Sequence, residues 1–503
     1  MNVRPIQEQD IETVIELFRK NYGDDYAMPE FYDPQWVKRG VYSDNIVWLV
    51  LEDENKIVAS GAIILNFGDY NDQIGEIGRL VVDPDVAGKG LGRAMLEALV
   101  DASDDRVEFV FAEARTVHPK TQKINDRIGL VPLGFLPLHY MMSWRESLVF
   151  SGQLFGNGRA LRRAGQAEVI PAIEPLAKLS LKNLEIDETV HVREGLQPYS
   201  VDQQMDVHPL TASSLIRVLK IEQGRLTEPE ILGGGSIDEG MTQLQARKAN
   251  YVVASEGERT LGALGFIHHP RHDSIRIIEL IAQDSAVKGS LLRWAVDHAQ
   301  DEYAAQVIEV DASAYSPRMQ QTLYSMGFLP TSYVPGMVFH STARLDVVKF
   351  AKLNTPWELG PFELTESAQA YYDLVAPAFI QAAQAHENRL RALNSPALKN
   401  ITPLEAYLVN RAGKAFDVAQ GATLEPNTMY LVVNGAFKSG ERVVGQGGVM
   451  GAGIAFGDAA DTGAVATENA RVFALSKAEL DAVCEQHPRL GIKLYQNLAA
   501  LRA

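Results

Sequence analysis

The 503-residue sequence has very little cysteine. Its single thiol, Cys484, excludes a framework of internal disulfides and favours a reducing compartment. No apolar run is long enough to cross a bilayer, because the longest runs, such as GRLVV and MYLVV, have only the length of strands. The first residues, MNVRPIQEQDIETVIELF, lack the apolar core of a signal peptide. Together these absences predict a cytoplasmic chain that does not bind a membrane.

Basic residues are scarce relative to acidic ones. Lys and Arg number 47 against 64 Asp and Glu, which gives a formal net charge of −17 at pH 7. Because like charges repel before contact, this balance excludes a broad surface for nucleic acid or anionic lipid, but it allows a local basic pocket for an anionic cofactor. The remaining composition, 46% hydrophobic and 22% charged, is that of a globular protein, and the length predicts three or four domains.

Residues 1–145 alternate helical and strand patterns. Apolar spacing in DIETVIELF predicts a helix, and NIVWLVLEDENKIVASGAIILNF predicts two strands joined by a polar turn. A third strand, IGEIGRLVV, leads through a glycine-rich stretch into the helix GRAMLEALVDAS. The strand RVEFVFAEA, the helix HPKTQKINDRIGL and the strand GFLPLHYMMSW follow. This order predicts a mixed α/β domain built around one sheet.

The glycine-rich stretch is VAGKGLGRAML, residues 86–96. A loop that leaves a strand and opens a helix presents free N–H groups and the positive end of the helix dipole, and glycines let a pyrophosphate approach the backbone. The stretch matches neither the glycine motif of dinucleotide-binding folds nor the P-loop motif. It resembles the acyl-CoA loop of the GNAT N-acyltransferase superfamily, with Ala87 where that family usually has Arg or Gln. The alternative interpretation is a turn needed only for tight helix packing.

The resemblance covers the whole first block and implies the GNAT fold, acetyl-CoA as acyl donor and an amine as acceptor, with no metal. In the family, the strand before the loop splays from its neighbour and pairs with pantetheine amides. Asn125 stands where the family often has a tyrosine that protonates the leaving thiolate, so a tyrosine is not expected to act as the general acid at this position. The cofactor-binding residues implied by the resemblance are Leu80, Val81, Val82, Gly88, Lys89, Gly90, Leu91, Gly92, Arg93 and Asn125.

Direct attack of an amine on a thioester needs a group that takes up the proton of the amine. Glu76 precedes Ala87 by eleven residues, a spacing that matches the glutamate base in part of the family; its alternative role is an ordinary solvent-side strand residue. Glu113, near the end of the next strand, is the second candidate. His118 could act as an acid or contact a ligand, but a histidine beside a proline is more often a helix-start residue.

The second block repeats the first in weakened form. Residues 146–190 are predicted to be a helical linker, and 191–350 a degenerate GNAT-like domain. Arg93 and Arg293 are 200 residues apart, and Gly129 and Gly327 are 198 apart, which indicates an internal duplication. Here VKGSLL replaces AGKGLG, so the predicted loop has one glycine and should bind a cofactor poorly.

The third block, residues 356–503, has short strands broken by glycines and then two helices, which predicts a small barrel or roll. It resembles the cyclic-nucleotide-binding β-roll (a double-stranded β-helix) with flanking helices. That family holds the ribose with a Gly-Glu pair and the cyclic phosphate with an arginine. This chain has Gly451-Ala452, then DTGAVAT, and no arginine between Val443 and Arg471. Ordinary cyclic-nucleotide binding is therefore not expected. The roll could instead bind another ligand, hold a homo-oligomer together or cover the catalytic domain.

These patterns predict an acyl-CoA-dependent N-acyltransferase that works from the first domain. The second GNAT-like domain and the roll would then be structural, substrate-binding or regulatory. A non-catalytic sensor of CoA thioesters, or a scaffold, is the alternative, favoured by the missing tyrosine and the missing Arg or Gln. The sequence leaves open whether the acceptor is a small amine, a peptide or a protein lysine.

Overall fold

The structure is a computed structural model that divides into two compact units, residues 1–354 with 358–377 and residues 355–357 with 378–503. We describe each unit by itself. Ala87, at the head of the glycine stretch, and the start of DTGAVAT lie outside the described residues. The structure describes all residues except 25, 27, 66–71, 87, 104–105, 143, 202–204, 211–227, 234–249, 258, 304, 392–394, 402, 459–462 and 503.

The first unit is built around one large mixed sheet. Its strands, with a short β8–β9 pair beside them, are β1 (Asn2–Pro5), β2 (Ile46–Asp53), β3 (Lys56–Leu65), β4 (Ile74–Val82), β5 (Phe109–Arg115), β6 (Val131–Met141), β7 (Arg145–Leu154), β8 (Glu168–Val169), β9 (His191–Val192), β10 (Asp206–Pro209), β11 (Asn250–Glu256), β12 (Arg259–His269), β13 (Ser274–Ala282), β14 (Val307–Ser313), β15 (Leu329–His340) and β16 (Ala343–Leu353). Fourteen of these described strands form the sheet, in the order β1-β2-β3-β4-β5-β7-β6-β15-β16-β14-β13-β12-β11-β10.

Helices pack on both faces of this sheet. Leu49 and Leu51 of β2 share an apolar cluster with Met95, whereas the alternate residues Trp48 and Val50 pack in a second cluster with Phe18. The described α-helices of the chain are α1 (Ile11–Tyr22), α2 (Pro34–Val41), α3 (Leu91–Asp101), α4 (Lys120–Arg127), α5 (Gly158–Leu161), α6 (Glu174–Asn183), α7 (Ala286–Asp301), α8 (Pro317–Ser325), α9 (Glu366–Arg391), α10 (Pro403–Ala412), α11 (Lys477–Gln486) and α12 (Pro488–Arg502).

The pairing pattern of the sheet occurs twice. We call β1–β7 the first half and β10–β16 the second half. In each half, three antiparallel pairs lead to one parallel pair, β4–β5 or β13–β14, and two further antiparallel pairs complete the half. The halves meet where β6 pairs antiparallel with β15 at Gly134 and Ser332. A Cβ on Gly134 would lie 1.7 Å from the Ser332 hydroxyl oxygen, so this close approach requires glycine.

Residues 146–190 are not the predicted helical linker throughout. They begin inside β7, which pairs with both β5 and β6 and therefore completes the first half. Helices α5 and α6 follow only later in the segment. β7 is buried almost throughout, as a central strand is, but the polar residues Glu146, Ser147 and Ser151 interrupt the apolar pattern that would predict a strand.

A buried arginine ties the two halves together. Arg344 of β16 has no exposed surface, and its guanidinium lies 2.8 Å from a carboxylate oxygen of Asp72 and 2.8 Å from one of Glu108. The same side chain donates to the carbonyls of Gly336 and Met337. Two carboxylates and two carbonyls thus satisfy the buried charge, and removal of the carboxylates would leave it unpaired at a large cost in stability.

The second unit contains short antiparallel strands and the helices α10–α12. A four-stranded and a three-stranded sheet enclose an apolar cluster that includes Phe437, Met450, Ala464 and Ala466. At the predicted Gly-Glu position, Gly451 has φ +72° and begins a 3-10 helix, Ala452–Phe456. The strands are β17 (Lys414–Val418), β18 (Thr428–Asn434), β19 (Phe437–Ser439), β20 (Arg442–Val444), β21 (Val449–Met450), β22 (Val465–Ala466) and β23 (Ala470–Ser476).

Candidate active site

The predicted cofactor loop precedes α3, which begins at Leu91 with Gly90 as its N-cap. Gly88 and Gly90 have φ values of +89° and +77°, and a Cβ on either would meet no atom within 4 Å. Gly88, Lys89, Gly90 and Arg93 are exposed, and Gly90 offers no side-chain cap. The first N–H groups of α3 therefore point to open space, the geometry that binds anions.

Beside this helix start, β4 and β5 separate. They pair in parallel only at Ile74–Glu76, and among the described residues no segment bridges the two strands further along. Leu80, Val81 and Val82 lie in the separated part of β4, and Val81 is buried. The strand splay that the resemblance implies is present in the structure, next to the loop.

A cavity of about 700 Å³ opens at the point where the strands separate. Both sequence-predicted carboxylates, Glu76 and Glu113, line it. His118 does not line it and is exposed, so the structure places this candidate apart from the two glutamates. The second half contributes many of the other lining residues, among them Glu230, Leu232, Arg276, Glu309 and Lys349.

Glu76 is held by a neighbouring arginine. Both of its carboxylate oxygens accept hydrogen bonds from the Arg79 guanidinium, and both side chains are almost fully buried. Arg79 has φ +51°, a left-handed conformation that turns its side chain back onto Glu76 at an irregularity in the β3–β4 register. Because Arg79 already engages both carboxylate oxygens, Glu76 is poorly placed to accept a hydrogen bond from an amine, which disfavours it as the base.

Glu113 has different partners. Its Oε2 accepts a hydrogen bond of 2.6 Å from the Tyr140 hydroxyl and lies 3.9 Å from His139 Nε2. The Nδ1 of His139 is 2.6 Å from a carboxylate oxygen of Glu309, which belongs to the second half. A chain of polar groups thus runs from Glu113 across the junction to Glu309.

The ionisation of these polar side chains follows from their burial and from the charges around them. Burial alone would lower the pKa of His139, but the carboxylates of Glu309 and Glu113 outweigh burial and raise it. Burial would raise the pKa of Glu309, but His139, Arg276 and Lys349 bring it down to about 2. Burial, followed by the charges of Glu113 and Glu76, raises the pKa of Tyr140 well above its ordinary value, so Tyr140 stays a donor to Glu113.

The His139–Glu309 pair predicts a pH-dependent stability. The pKa of His139 is raised in the folded state, so its contribution is complete below the unfolded value of about 6.5 and is lost as pH rises through the folded pKa. We expect the free energy of unfolding to decrease between pH 6 and 9 by more in the wild type than in His139→Gln. Urea unfolding across this range measures it. Identical pH profiles for the two proteins would contradict the assigned ion pair.

Asn125, at the family's tyrosine position, is fully buried in α4. Neither its side-chain oxygen nor its nitrogen has a hydrogen-bond partner among the described residues. An unsatisfied buried amide costs about 1–3 kcal/mol, and such groups in native structures often face a missing partner. Asn125 is not among the residues that line the cavity with Glu113, and its role as a ligand contact stays a prediction.

Sequence reasoning missed the histidine and tyrosine of this site. His139 and Tyr140 lie in LPLHYMM, which the patterns predict only as a closing strand. A register shift between Leu136 and Tyr140, with Leu138 at φ +49°, redirects this part of β6. Two polar residues inside an otherwise apolar strand were the available signal.

The second half lacks the loop altogether. Residues 286–290, which correspond to 86–90 at the 200-residue offset, belong to α7 rather than to a loop. A Cβ on Gly289 would lie 2.2 Å from the Ser200 carbonyl oxygen, so the chain itself covers this glycine. The sequence predicts a loop with one glycine that would bind a cofactor poorly. The predicted loop is wrong, because the corresponding residues are helical.

Comparison with known protein families gives a match within the first half. Residues 11–123 match the model of the acetyltransferase (GNAT) family, and this range contains the glycine loop, the strand opening and both glutamates. The chain carries a GNAT acetyltransferase domain. Comparison with curated proteins found no significant match.

Solved structures with likeness to the chain include three N-acetyltransferases. The ribosomal-protein-S18-alanine N-acetyltransferase from Escherichia coli is 18% identical, with a TM-score of 0.26, and the match covers 31% of this chain and 94% of that one. The ribosomal-protein-S5-alanine acetyltransferase from Vibrio fischeri is 18% identical (TM-score 0.28; 31% and 93% covered). A spermidine N-acetyltransferase mutant from Vibrio cholerae is 15% identical (TM-score 0.27; 30% and 92% covered). Each likeness covers less than a third of this chain.

The residues that the structure describes contain no group of three or more His, Cys, Asp or Glu side chains arranged to hold a metal ion. None of the helices described above is both long enough and apolar enough to span a membrane.

Proposed function

We propose that the protein is an acetyl-CoA-dependent N-acetyltransferase that works from its GNAT domain. The observation that carries the proposal is the joint placement of three features: an uncapped, glycine-led helix start, a strand opening beside it, and a carboxylate-lined cavity at the point of that opening. The first two suit the pyrophosphate and pantetheine of the cofactor, and the third suits an amine.

In the proposed reaction, Glu113 takes up a proton as the amine nitrogen attacks the thioester carbonyl. The new C–N bond forms while the C–S bond breaks, and the leaving CoA thiolate becomes the thiol with the proton that Glu113 has taken from the amine and returns through solvent. Tyr140 holds Glu113 in place through its 2.6 Å hydrogen bond. Free N–H groups of the separated part of β4 would polarise the thioester carbonyl. Glu76, bound by Arg79, would shape the site rather than accept the proton.

We propose further that the second half is a degenerate copy of the same fold. The repeated pairing order and the 198–200-residue offsets support this relationship. The helical residues 286–290 and the covered Gly289 argue against cofactor binding there.

The test is release of CoA thiol from acetyl-CoA in the presence of a panel of primary amines. The proposal expects amine-dependent release together with acetylated product. A non-catalytic sensor or scaffold would bind acetyl-CoA without transfer, so calorimetry alone does not separate the two functions. Tight binding with no transfer to any amine or lysine peptide would favour the sensor.

For the second unit we propose a cyclic-nucleotide-binding-like roll that no longer binds these nucleotides. Ala452 stands at the glutamate position, and apolar Ala464 and Ala466 are buried inside the roll. Losing both the ribose acceptor and the phosphate's cation should cost on the order of 2–3 kcal/mol each. We expect no change in melting temperature with cyclic AMP or cyclic GMP at millimolar concentration. A saturable rise at micromolar nucleotide would contradict the proposal.

A further inference from the structure

The second half has a strand opening of its own, and this opening is filled. β13 and β14 pair in parallel from Ser274 to Ile277 and then separate. Residues 230–233, which we call the inserted segment, lie between the separated strands. Ile231 forms a bridge to Ala312 of β14, so the segment continues the sheet where the two strands part.

Backbone hydrogen bonds hold the inserted segment to both strands. The N–H of Ser313 donates to the Glu230 carbonyl at 2.9 Å, and the N–H of Leu232 donates to the backbone carbonyl of Asp311 at 2.8 Å. On the other side, the N–H of Gly233 donates to the Ile278 carbonyl at 3.1 Å. The segment therefore uses the same free backbone groups that an extended amide-containing ligand would use.

The fit at the inserted segment leaves no room for a second occupant. A Cβ on Gly233 would lie 2.3 Å from the Ile278 Cα. The Glu230 carboxylate binds the Lys288 ammonium at the start of α7 and accepts a 2.9 Å hydrogen bond from Tyr199. The Glu230 carboxylate thus pairs with a lysine in the first turn of α7, a cation that an anionic ligand group would otherwise bind.

The other side of the inserted segment lines the cavity that holds Glu113. Leu232 is 6% exposed and packs in one apolar cluster with Phe111 and Phe150 of the first half. The segment therefore shares a cavity with Glu113, the residue at the proposed reacting centre.

We infer that the inserted segment permanently fills the strand opening of the second half, in the place where a cofactor would pair with the separated strands. The residues of the segment that line the cavity then select a small primary amine with an apolar body. This inference rests on the proposed function. A cavity of about 700 Å³ has the size of a small-molecule site rather than a protein-docking surface. Among the residues that the structure describes, the lining has eight Asp and Glu against three Lys and Arg. This excess favours a cationic amine over an anionic acceptor, and the Leu232 cluster offers an apolar wall.

The first experiment measures CoA stoichiometry and backbone protection in the full chain. Calorimetry with CoA should give one site per chain, and Gly90→Val should remove it. Hydrogen–deuterium exchange should show peptides covering 230–233 protected without ligand and unchanged by CoA, while peptides covering 80–82 gain protection. Two sites, or deprotection of 230–233 on adding CoA, would overturn the inference. No CoA binding in the wild type would instead overturn the proposed function.

The second experiment tests selection with linear primary amines from propylamine to decylamine. Leu232→Ala removes three carbons from the wall and should raise kcat/KM for the longer amines relative to propylamine on the order of tenfold, with CoA affinity unchanged. Leu148→Ala, in the same apolar cluster but away from the cavity lining, is the control for lost packing. Equal selectivity in Leu232→Ala and wild type, or equal shifts in both variants, would overturn the assigned role. The absence of transfer to every amine tested, with CoA still bound, would instead overturn the proposed function.

Discussion

Glu113→Gln is expected to lower kcat for acetyl transfer by about 10²–10⁴-fold, because the variant can no longer accept the proton of the attacking amine. CoA affinity should stay within about threefold of wild type, since Glu113 lies in the acceptor cavity and not in the glycine loop. Part of the rate should return at high pH, where more of the amine is unprotonated. Steady-state kinetics from pH 6 to 10, with calorimetry for CoA, measure both effects.

Glu76→Gln is the matched comparison, because it makes the same change on the same cavity. Its carboxylate is neutralised by Arg79, so the expected loss is smaller and should not recover at high pH. If Glu76→Gln proved inactive with rescue at high pH while Glu113→Gln kept its rate, Glu76 would be the base, as the sequence spacing predicts.

Gly90→Val is expected to weaken CoA binding by at least about 100-fold, or about 2.7 kcal/mol. The added side chain would occupy the open space in front of the first N–H groups of α3, where the pyrophosphate is proposed to bind. Isothermal calorimetry gives the dissociation constant directly.

Backbone strain alone could also affect Gly90→Val, because Gly90 has a positive φ. Gly165→Val controls for this: Gly165 is exposed, has φ +66° and would also place its Cβ in open space. Both variants should lose stability by on the order of 1–3 kcal/mol, but only Gly90→Val should lose CoA. Similar affinities in the two variants would show that the glycine loop does not hold the cofactor.

Local patterns allowed much of the first half to be predicted. Helix periodicity located α1 and α3, and glycines between a strand and a helix located the loop, because both signals are short-range. β7 could not be predicted in the same way, since its polar residues are buried by neighbouring strands that are distant in sequence, and such residues locally favour a loop or a solvent-exposed helix.

The candidate site was only partly predictable, because its partners are distant in sequence. Glu76 and Glu113 follow from motif spacing, but the Arg79 contact depends on a left-handed φ within β4. The link from His139 to Glu309 crosses 170 positions of the chain, and only the sheet order brings these residues together. The inserted segment likewise has no motif, since its role follows from backbone pairing.

The continuous sheet has a consequence for synthesis of the chain. All seven strands of the first half are complete once Leu154 has been made, but the outer edge of β6 has no partner until β15, which begins at Leu329, has been made. At about 5–20 residues per second, the ribosome leaves that edge unpaired for roughly 10–35 s. An unpaired, mostly buried strand edge is a site of aggregation. Fragments that end between the two halves should therefore be prone to precipitate, and slowed translation beyond Leu154 should lower the soluble yield of the full chain.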